Sequence, residues 1–575
     1  MDDAAPGLWA RRVSGAAYFR NLAILESCPP LLADALAQRH ASIAGNVRAF
    51  FTRDGRIADS WNDADADLAR LGAELRQVNP ERAFDDDAIE AAADQAARHC
   101  MGLRDLRLAV EYAQAQGLTL PHGPRVTSAS LRRRLNSPDW WRRRLRTRLT
   151  RQCEELFRRL GFVRRQACAY VSGDALARMK SAAHKGRRWM SETLAVCEET
   201  GEAIPLEDIA ARSLANPALR RGELMTRARG FQETAEAAGH RCLMVTLTAP
   251  SAFHAWLRES GERNPRYNGA TPREAQAWLN KQWARARAAL KRRNVLYYGF
   301  RAAEPHHDGT PHWHAVLYVP TDHVGTLTNQ LRKTWLKEYP DEPGASKHRI
   351  KFNEENPSEG SGVGYLAKYV AKNIDGAGSI GGQASDESGR PVSDDAQHAI
   401  AWARLHGIRQ FQQLGGPAVT LWRELRRVRE PCDCPPLEAL RLTTTRCETA
   451  GPSWSRFVAQ LGGIEASLRA SRALFDKVEP RCLDRQGRTV MRMTRWGELP
   501  APMVVGLRLV WRDRIRRLAT RVHVWFLVFA PRSGGLFVLG PVAITVRGAA
   551  EAGAPAGWTN PQETSQAPPW RGGVA

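Results

Sequence analysis

Cysteine is sparse and unpatterned, with ten in 575 residues at spacings that define no framework. A chain of this length can bury a sizeable apolar core without cross-links, so the thiols point to a reduced, cytoplasmic setting. No basic stretch leads into an apolar run after Met1-Asp2-Asp3, and no secretory leader is expected. No apolar run is long enough to span a bilayer. The two most apolar stretches, Val522–Ala530 and Leu536–Val546, are split by Pro531-Arg532-Ser533-Gly534-Gly535 and predict a hairpin. There is no Gly-x4-Gly-Lys-Ser/Thr phosphate loop, no internal repeat, and nothing that marks a small-molecule cofactor site. Acidic residues are in deficit, 61 against 84 basic, for a net charge of +23. That balance favours a polyanionic partner, nucleic acid foremost. The plainer alternative is an arginine-rich bias without functional meaning.

Four stretches differ in character. Residues 1–120 are rich in Ala, Leu and Asp and read as helical, with no recognisable chemistry. Residues 121–235 read as a basic helical region that contacts DNA. Between Leu131 and Arg165, thirteen arginines stand against three acids (Asp139, Glu154, Glu155), with Trp140 and Trp141 embedded. Ser137-Pro138-Asp139 makes a helix start and Gly161 a stop. Such a helix would carry arginine all round. Arg142, Arg143 and Arg144 are then candidate phosphate contacts, and Trp140 and Trp141 candidate stacking platforms for exposed bases; a solvated basic helix is the alternative.

Residues 236–430 hold the chemistry, and 431–575 form a region of weaker signal with a disordered tail over Pro561–Ala575. Leu243–Thr248 reads as a strand ended by Pro250. Thr271-Pro272-Arg273-Glu274 is a capping box with proline at the first helical position, opening a helix to about Arg293 whose apolar face carries Trp278, Trp283 and Leu290. Val295–Glu304 and His312–Val319 read as two strands joined at Asp308-Gly309. Asp375–Asp395 reads as a mobile loop.

On the second of those strands His312 and His314 share a face. Glu304, near the end of the first, comes opposite them across the hairpin. Two imidazoles and a carboxylate leave positions open on a divalent ion for water and a phosphate oxygen, which suits Mg²⁺ or Mn²⁺. His306 and His307 are rival third ligands. Zinc is disfavoured, because no cysteine or further histidine stands at a closing spacing. Cys432-Asp-Cys434, with Cys447 and Cys482, reads as unrelated thiols. About fifty residues downstream of His312, Tyr365 and Tyr369 are four apart and share one helix face. A phenol has a pKa near ~10 and needs help to attack at neutral pH. Lys368 and Lys372 stand beside the tyrosines to stabilise phenolate or phosphate charge.

Three segments in order, Val245-Thr246-Leu247-Thr248-Ala-Pro-Ser, Glu304-Pro-His-His-Asp-Gly-Thr-Pro-His312-Trp-His314 and Tyr365-Leu-Ala-Lys-Tyr369-Val-Ala-Lys-Asn, resemble the rolling-circle motifs of the HUH endonucleases. Specifically, they resemble the replication gene A proteins of P2-like phages and prophages. The likeness extends through Tyr170-Val-Ser, Asn216-Pro-Ala-Leu-Arg-Arg and Glu223-Leu-Met to Gly407–Pro417, covering roughly residues 125 to 430. It implies an α+β fold: a nuclease core with a ferredoxin-like antiparallel sheet, Thr246 to Thr248 on its central strand, between a largely helical N-terminal and a mixed C-terminal region. It also implies His312, His314 and Glu304 as metal ligands. Tyr365 and Tyr369 would be alternating nucleophiles that leave a 5′-phosphotyrosine and a 3′-hydroxyl at an origin nick. A host replicative helicase, in the cytoplasm of a bacterial cell, is the implied partner beside DNA. The rivals are a catalytically silent origin-binding protein and an HUH relaxase or transposase. A relaxase usually places its tyrosine before the histidines, and a transposase is far shorter.

Overall fold

The computed structural model describes Ala69 and residues 86–354, 361–374, 392–445, 451–479, 481–483, 489–491, 493–520, 525–529 and 537–542. The expectations for residues 1–85, apart from Ala69, for 375–391 of the expected loop and for the tail at 561–575 lie outside the described residues.

Helices α1 (Asp86–Gly102), α2 (Leu106–Ala115) and α3 (Ser128–Leu135) lead into α4 (Pro138–Arg159), the arginine-rich helix. As its sequence dictates, α4 starts at Ser137 with proline in the first turn, and Gly161 follows it at φ +86°. Its first turn is an anchor. Trp140 and Trp141 are buried with Ile89, Ala97 and Leu135, and Trp141 Nε1 donates to the Leu135 carbonyl at 2.7 Å. Neither indole face is open to a base, which corrects the stacking expectation: the largest apolar side chains of an otherwise charged helix are what its neighbours bury. The arginines are sorted too. Arg143 and Arg144 are exposed, Arg142 is half-buried and pairs with Asp139, and Arg158 is fully enclosed.

After α5 (Gly173–Ser191) the chain forms a short hairpin, β1 (Thr193–Cys197) and β2 (Ala203–Pro205), before α6 (Pro217–Ala237). This region was expected to be helical throughout. The hairpin is specified by a distant partner: β1 pairs with Trp525–Phe529, from Thr193↔Phe529 to Cys197↔Trp525. Trp525–Phe529 pairs in turn with Phe537–Val542, the hairpin anticipated around Pro531–Gly535.

The main sheet is built from β3 (Arg241–Thr248), α7 (Pro272–Arg292), β4 (Tyr298–Pro305), β5 (Pro311–Val319), α8 (Val324–Trp335) and β6 (Ile350–Glu354). Helices α9 (Gly362–Ile374) and α10 (Val392–His406) and strand β7 (Phe411–Leu414) complete it. The strand order is β6-β3-β5-β4-β7, and every neighbouring pair is antiparallel. The fold is therefore α+β. The middle strand is β5, which carries the histidines, and β3 lies beside it. Thr246 to Thr248 are interior, on one of the two central strands of β6-β3-β5-β4, and lie one strand from the middle only because β7 adds to the β4 edge. Helix α10 begins at Val392, so the segment expected as loop to Asp395 is already helical there, and Asp395 is buried.

The two-residue period of the strands separates two cores. Val245, Leu247, Trp313, Ala315 and Leu317 point toward Trp278 and Trp283 of α7 and Leu331 of α8. On the opposite face, Cys242, Val316 and Tyr318 meet Phe231 of α6 and Leu366 and Val370 of α9. His312 and His314, in step with Val316 and Tyr318, therefore point toward α9. Among the described residues, no helix is long and apolar enough to cross a membrane.

Candidate active site

The hairpin register sets the site. Glu304 on β4 lies opposite His312 on β5, while Thr248 and Thr246 on β3 lie opposite His312 and His314. Ligand-capable atoms of Glu304, His312 and His314 lie within 4.8 Å of one another, with His314 Nε2 4.0 Å from Glu304 Oε2. His306 stacks on His312 at 3.9 Å between centroids. Neither His306 nor His307 belongs to that cluster.

Burial and the nearby lysines keep the His312 and His314 imidazoles in the neutral, ligand-competent form. Burial, then His306, His314 and Lys372, hold the His312 imidazole well below its usual range. Burial, then Lys372 and Lys368, push His314 down to about 3. Both rings are neutral at physiological pH and keep a lone pair to donate. His312 Nδ1 is enclosed with no hydrogen-bond partner, and Glu304 is only 2% exposed. A buried carboxylate beside an orphaned imidazole nitrogen fits a divalent ion. Cys432 and Cys434 join no ligand cluster among the described residues; Cys432 Sγ donates to Glu438 at 3.3 Å.

Helix α9 delivers the tyrosines to this cluster. The Tyr369 ring stacks on His314 at 4.2 Å between centroids, and the Tyr365 ring stands edge-on to Tyr369 at 4.9 Å. The Tyr365 hydroxyl lies 3.0 Å from His314 Nδ1, and Thr246 Oγ1 lies 3.2 Å from the same nitrogen. Burial raises the Tyr365 pKa, and hydrogen bonds from Tyr369 and Thr246 oppose that rise. Lys372 Nζ sits 3.8 Å from Glu304 Oε2 and 5.3 Å over the ring of Tyr170, while Lys368 is exposed. Tyr170 itself is held at φ +76°. A cavity of about 590 Å³ adjoins the cluster; Tyr369, Lys368 and Lys372 line it, with exposed Arg165, Arg258 and Lys351 at other points of its wall.

Three supporting residues escaped the sequence reading. Asn373 is fully buried one turn beyond Tyr369. Its Nδ2 donates to Glu304 Oε1 and, at 2.9 Å, to the Tyr369 carbonyl, while its Oδ1 accepts from Gln410 Nε2 at 3.1 Å. Gln410 thereby fixes which way the Asn373 amide faces, and Asn373 ties the tyrosine helix to the carboxylate. Tyr365, Tyr369 and Asn373 recur every fourth residue, a signal that was available. Arg158 offered no such signal. Its guanidinium donates to the carbonyls of Asp308 (2.7 Å), Phe253 (2.9 Å) and Ala270 (3.0 Å), clamping the Asp308-Gly309 turn between the site's two strands. Of the proposed DNA contacts, none is brought to the site: Trp140 and Trp141 are buried elsewhere, and Arg142, Arg143 and Arg144 do not line the cavity.

The sequence is similar to several replication proteins. It is 38% identical over 329 residues to the replication protein of Haemophilus phage HP1, covering 55% of this chain and 42% of that one. To the replication gene A protein of Escherichia phage 186 it is 39% identical over 295 residues, covering 51% and 42%. To a probable replication endonuclease from a prophage-like region of Salmonella typhimurium it is 34% identical over 341 residues, covering 58% and 42%. The chain thus spans about half or less of the length of the curated relatives it matches. No solved structure matches it. Residues 86–377, just over half of the 575, match the pattern that describes the bacteriophage replication gene A protein (GPA), and the chain belongs to that family.

Proposed function

We propose that this protein is a two-tyrosine DNA nicking and joining endonuclease that initiates rolling-circle replication of phage or prophage DNA. The observation that carries the reading is the convergence of Tyr365 and Tyr369, on one face of α9, with Glu304, His312 and His314 on the facing strands. The β-α-β-β-α-β succession, with strands in the order β6-β3-β5-β4, is that of a ferredoxin-like sheet and supports an HUH nuclease core. The replication endonucleases among its relatives support the same activity.

Glu304, His312 and His314 would hold Mg²⁺ or Mn²⁺, which supplies Lewis-acid polarisation of the scissile phosphate. Attack by a phenol oxygen forms the phosphotyrosine bond and breaks the bond to the 3′ oxygen. The phenol's proton ends on the released 3′ hydroxyl. One phosphate ester replaces another, so the joining step needs no ATP. Lys372 and Lys368 place cationic charge beside the tyrosines, and the His314 Nδ1 contact holds the Tyr365 hydroxyl in place. The second phenol allows one DNA end to be held while another is attacked. Unwinding falls to a host replicative helicase.

The test is a covalent-adduct assay on supercoiled plasmid carrying the coding region, and on single strands from it, with Mg²⁺ or Mn²⁺. Parent protein is expected to give a metal-dependent adduct on denaturing gels. The Tyr365→Phe/Tyr369→Phe double variant and His312→Ala/His314→Ala are expected to give none. Because Tyr369 lines the cavity and Tyr365 does not, Tyr369→Phe is expected to cost more of the first cleavage than Tyr365→Phe. Retained DNA binding without any parent adduct would instead identify a catalytically silent origin-binding protein.

A further inference from the structure

Residues 503–519 form an antiparallel ribbon outside the segment that matches the gene A family. Met503–Trp511 lies between Phe475–Val478 and Arg514–Ala519 in a three-stranded sheet, which makes Arg514–Ala519 an edge strand. The ribbon turns through Arg512 and Asp513, at φ +50° and +59°. Two consecutive positive φ values give the tight turn whose twist matches its flanking strands. One face of the ribbon is anchored, with Leu507 buried and Leu509, Trp511 and Leu518 packed on the core. Beyond Trp511 that cover ends, and every residue from Arg512 to Arg517 is exposed.

The exposed part is strongly charged. Arg508, Arg512, Arg514, Arg516 and Arg517 stand against Asp513, five positive charges less one negative, for +4. Among the described residues only Arg517 of these five forms an ion pair, with Asp476 at 3.4 Å. On the outward face Arg508 lies directly across from Arg517, and Val510 from Ile515. Facing like charges oppose strand pairing. Val510 and Ile515 are 67% and 61% exposed, an apolar pair set among arginines. A polyanion with apolar patches between its charges would complement both.

We infer that this ribbon docks in the major groove of duplex DNA flanking the nick; the inference rests on DNA being the partner proposed above. A two-stranded ribbon fits a groove about 12 Å wide. The arginines meet phosphates along its walls, and Val510 and Ile515 face the base edges, where thymine methyl groups offer apolar contact. Pairing edge to edge with a second copy would bring two cationic strands together and is disfavoured.

The experiment is fluorescence anisotropy of the full chain on short duplexes across a salt series. Parent is compared with Arg508→Gln/Arg512→Gln/Arg514→Gln/Arg516→Gln. The variant is expected to bind about tenfold or more weakly at low salt, with the slope of log affinity against log salt shallower by roughly three to four, near 0.9 per lost contact. Val510→Thr/Ile515→Thr is expected to keep the slope and lose discrimination between duplex sequences. Thermal midpoints report folding; should the quadruple variant melt early, Arg514→Gln and Arg516→Gln singly are each expected to flatten the slope by about one. Unchanged duplex affinity and slope overturns the ribbon alone. So does a change in oligomeric state with duplex affinity intact, which would assign the ribbon to self-association. A parent that neither binds DNA nor forms an adduct overturns the functional reading itself.

Discussion

Asn373 shows how one buried side chain can set a site it does not enter. Glu304 needs its second oxygen held if the first is to face a cation, and the Asn373 amide holds it. Partners of this kind orient ligands and tune their affinity. Asn373→Ala is therefore expected to weaken Mn²⁺ binding about 10–100-fold, measured by electron paramagnetic resonance titration in the absence of DNA. Gln410→Leu should do so less, since it frees the amide to flip without removing it. Equal Mn²⁺ affinity in Asn373→Ala would leave the residue a purely structural role. The clustering of Glu304, His312 and His314, and of Tyr365 with Tyr369, was legible because period two and period four place them on shared faces. Asn373 was legible in its spacing, but its partner Glu304 is 69 residues away in sequence, and only the fold brings the two together.

At the scale of elements, α4 is the instructive case. Its boundaries follow from Ser137, Pro138 and Gly161, yet its role follows from what surrounds it. Arg158 and Asp308 are 2% and 0% exposed at 3.6 Å. Burial opposes ionisation of Asp308, but His254 and Arg158 outweigh it and hold the carboxyl well below its usual range. Arg158→Met leaves that buried carboxylate without its guanidinium partner and three carbonyls without their donor, and is expected to destabilise the protein by about 3–5 kcal/mol, read by denaturant unfolding. Adding Asp308→Asn should recover part of the loss. Glu154, on the same helix, accepts from Ser172 Oγ and N at 2.6 and 2.8 Å. Burial, only partly offset by those bonds, pushes its pKa from 4.5 up to about 7. The folded state then keeps a proton that the unfolded chain has already released. Stability from this group is greatest below about pH 4.5, declines as pH rises toward about 7, and is flat above. Glu154→Gln is expected to remove that decline, measured as unfolding midpoints across this range; an unchanged pH slope would assign it to other groups.

Across the whole molecule, segments that are distinct in composition are stitched together. Arg134 pairs with Glu498 at 2.7 Å, β1 pairs with Trp525–Phe529, and Trp454 packs against Phe231 of α6. Trp525 is 3% exposed and packs with Ala195, Cys197 and Ile204. Trp525→Ala is expected to speed hydrogen exchange at Thr193–Cys197 while leaving β3 and β5 unchanged. Uniform protection in the variant would mean that β1 holds without its distant partner.

The sequence by itself determined which groups share a face: a histidine pair and a carboxylate on a hairpin, two phenols on one side of a helix, together with a basic chain and the ends of α4 and α7. These are local, set by periodicity, caps and turns acting within a few residues. The tertiary structure alone decided that β5 is the middle strand, that Trp140 and Trp141 are anchors, that Arg158 is a clamp, and that residues 193–205 are β. Each of these depends on partners dozens to hundreds of residues away. Burial and strand pairing are energies of contact, and contacts at that distance have no signature in the local pattern.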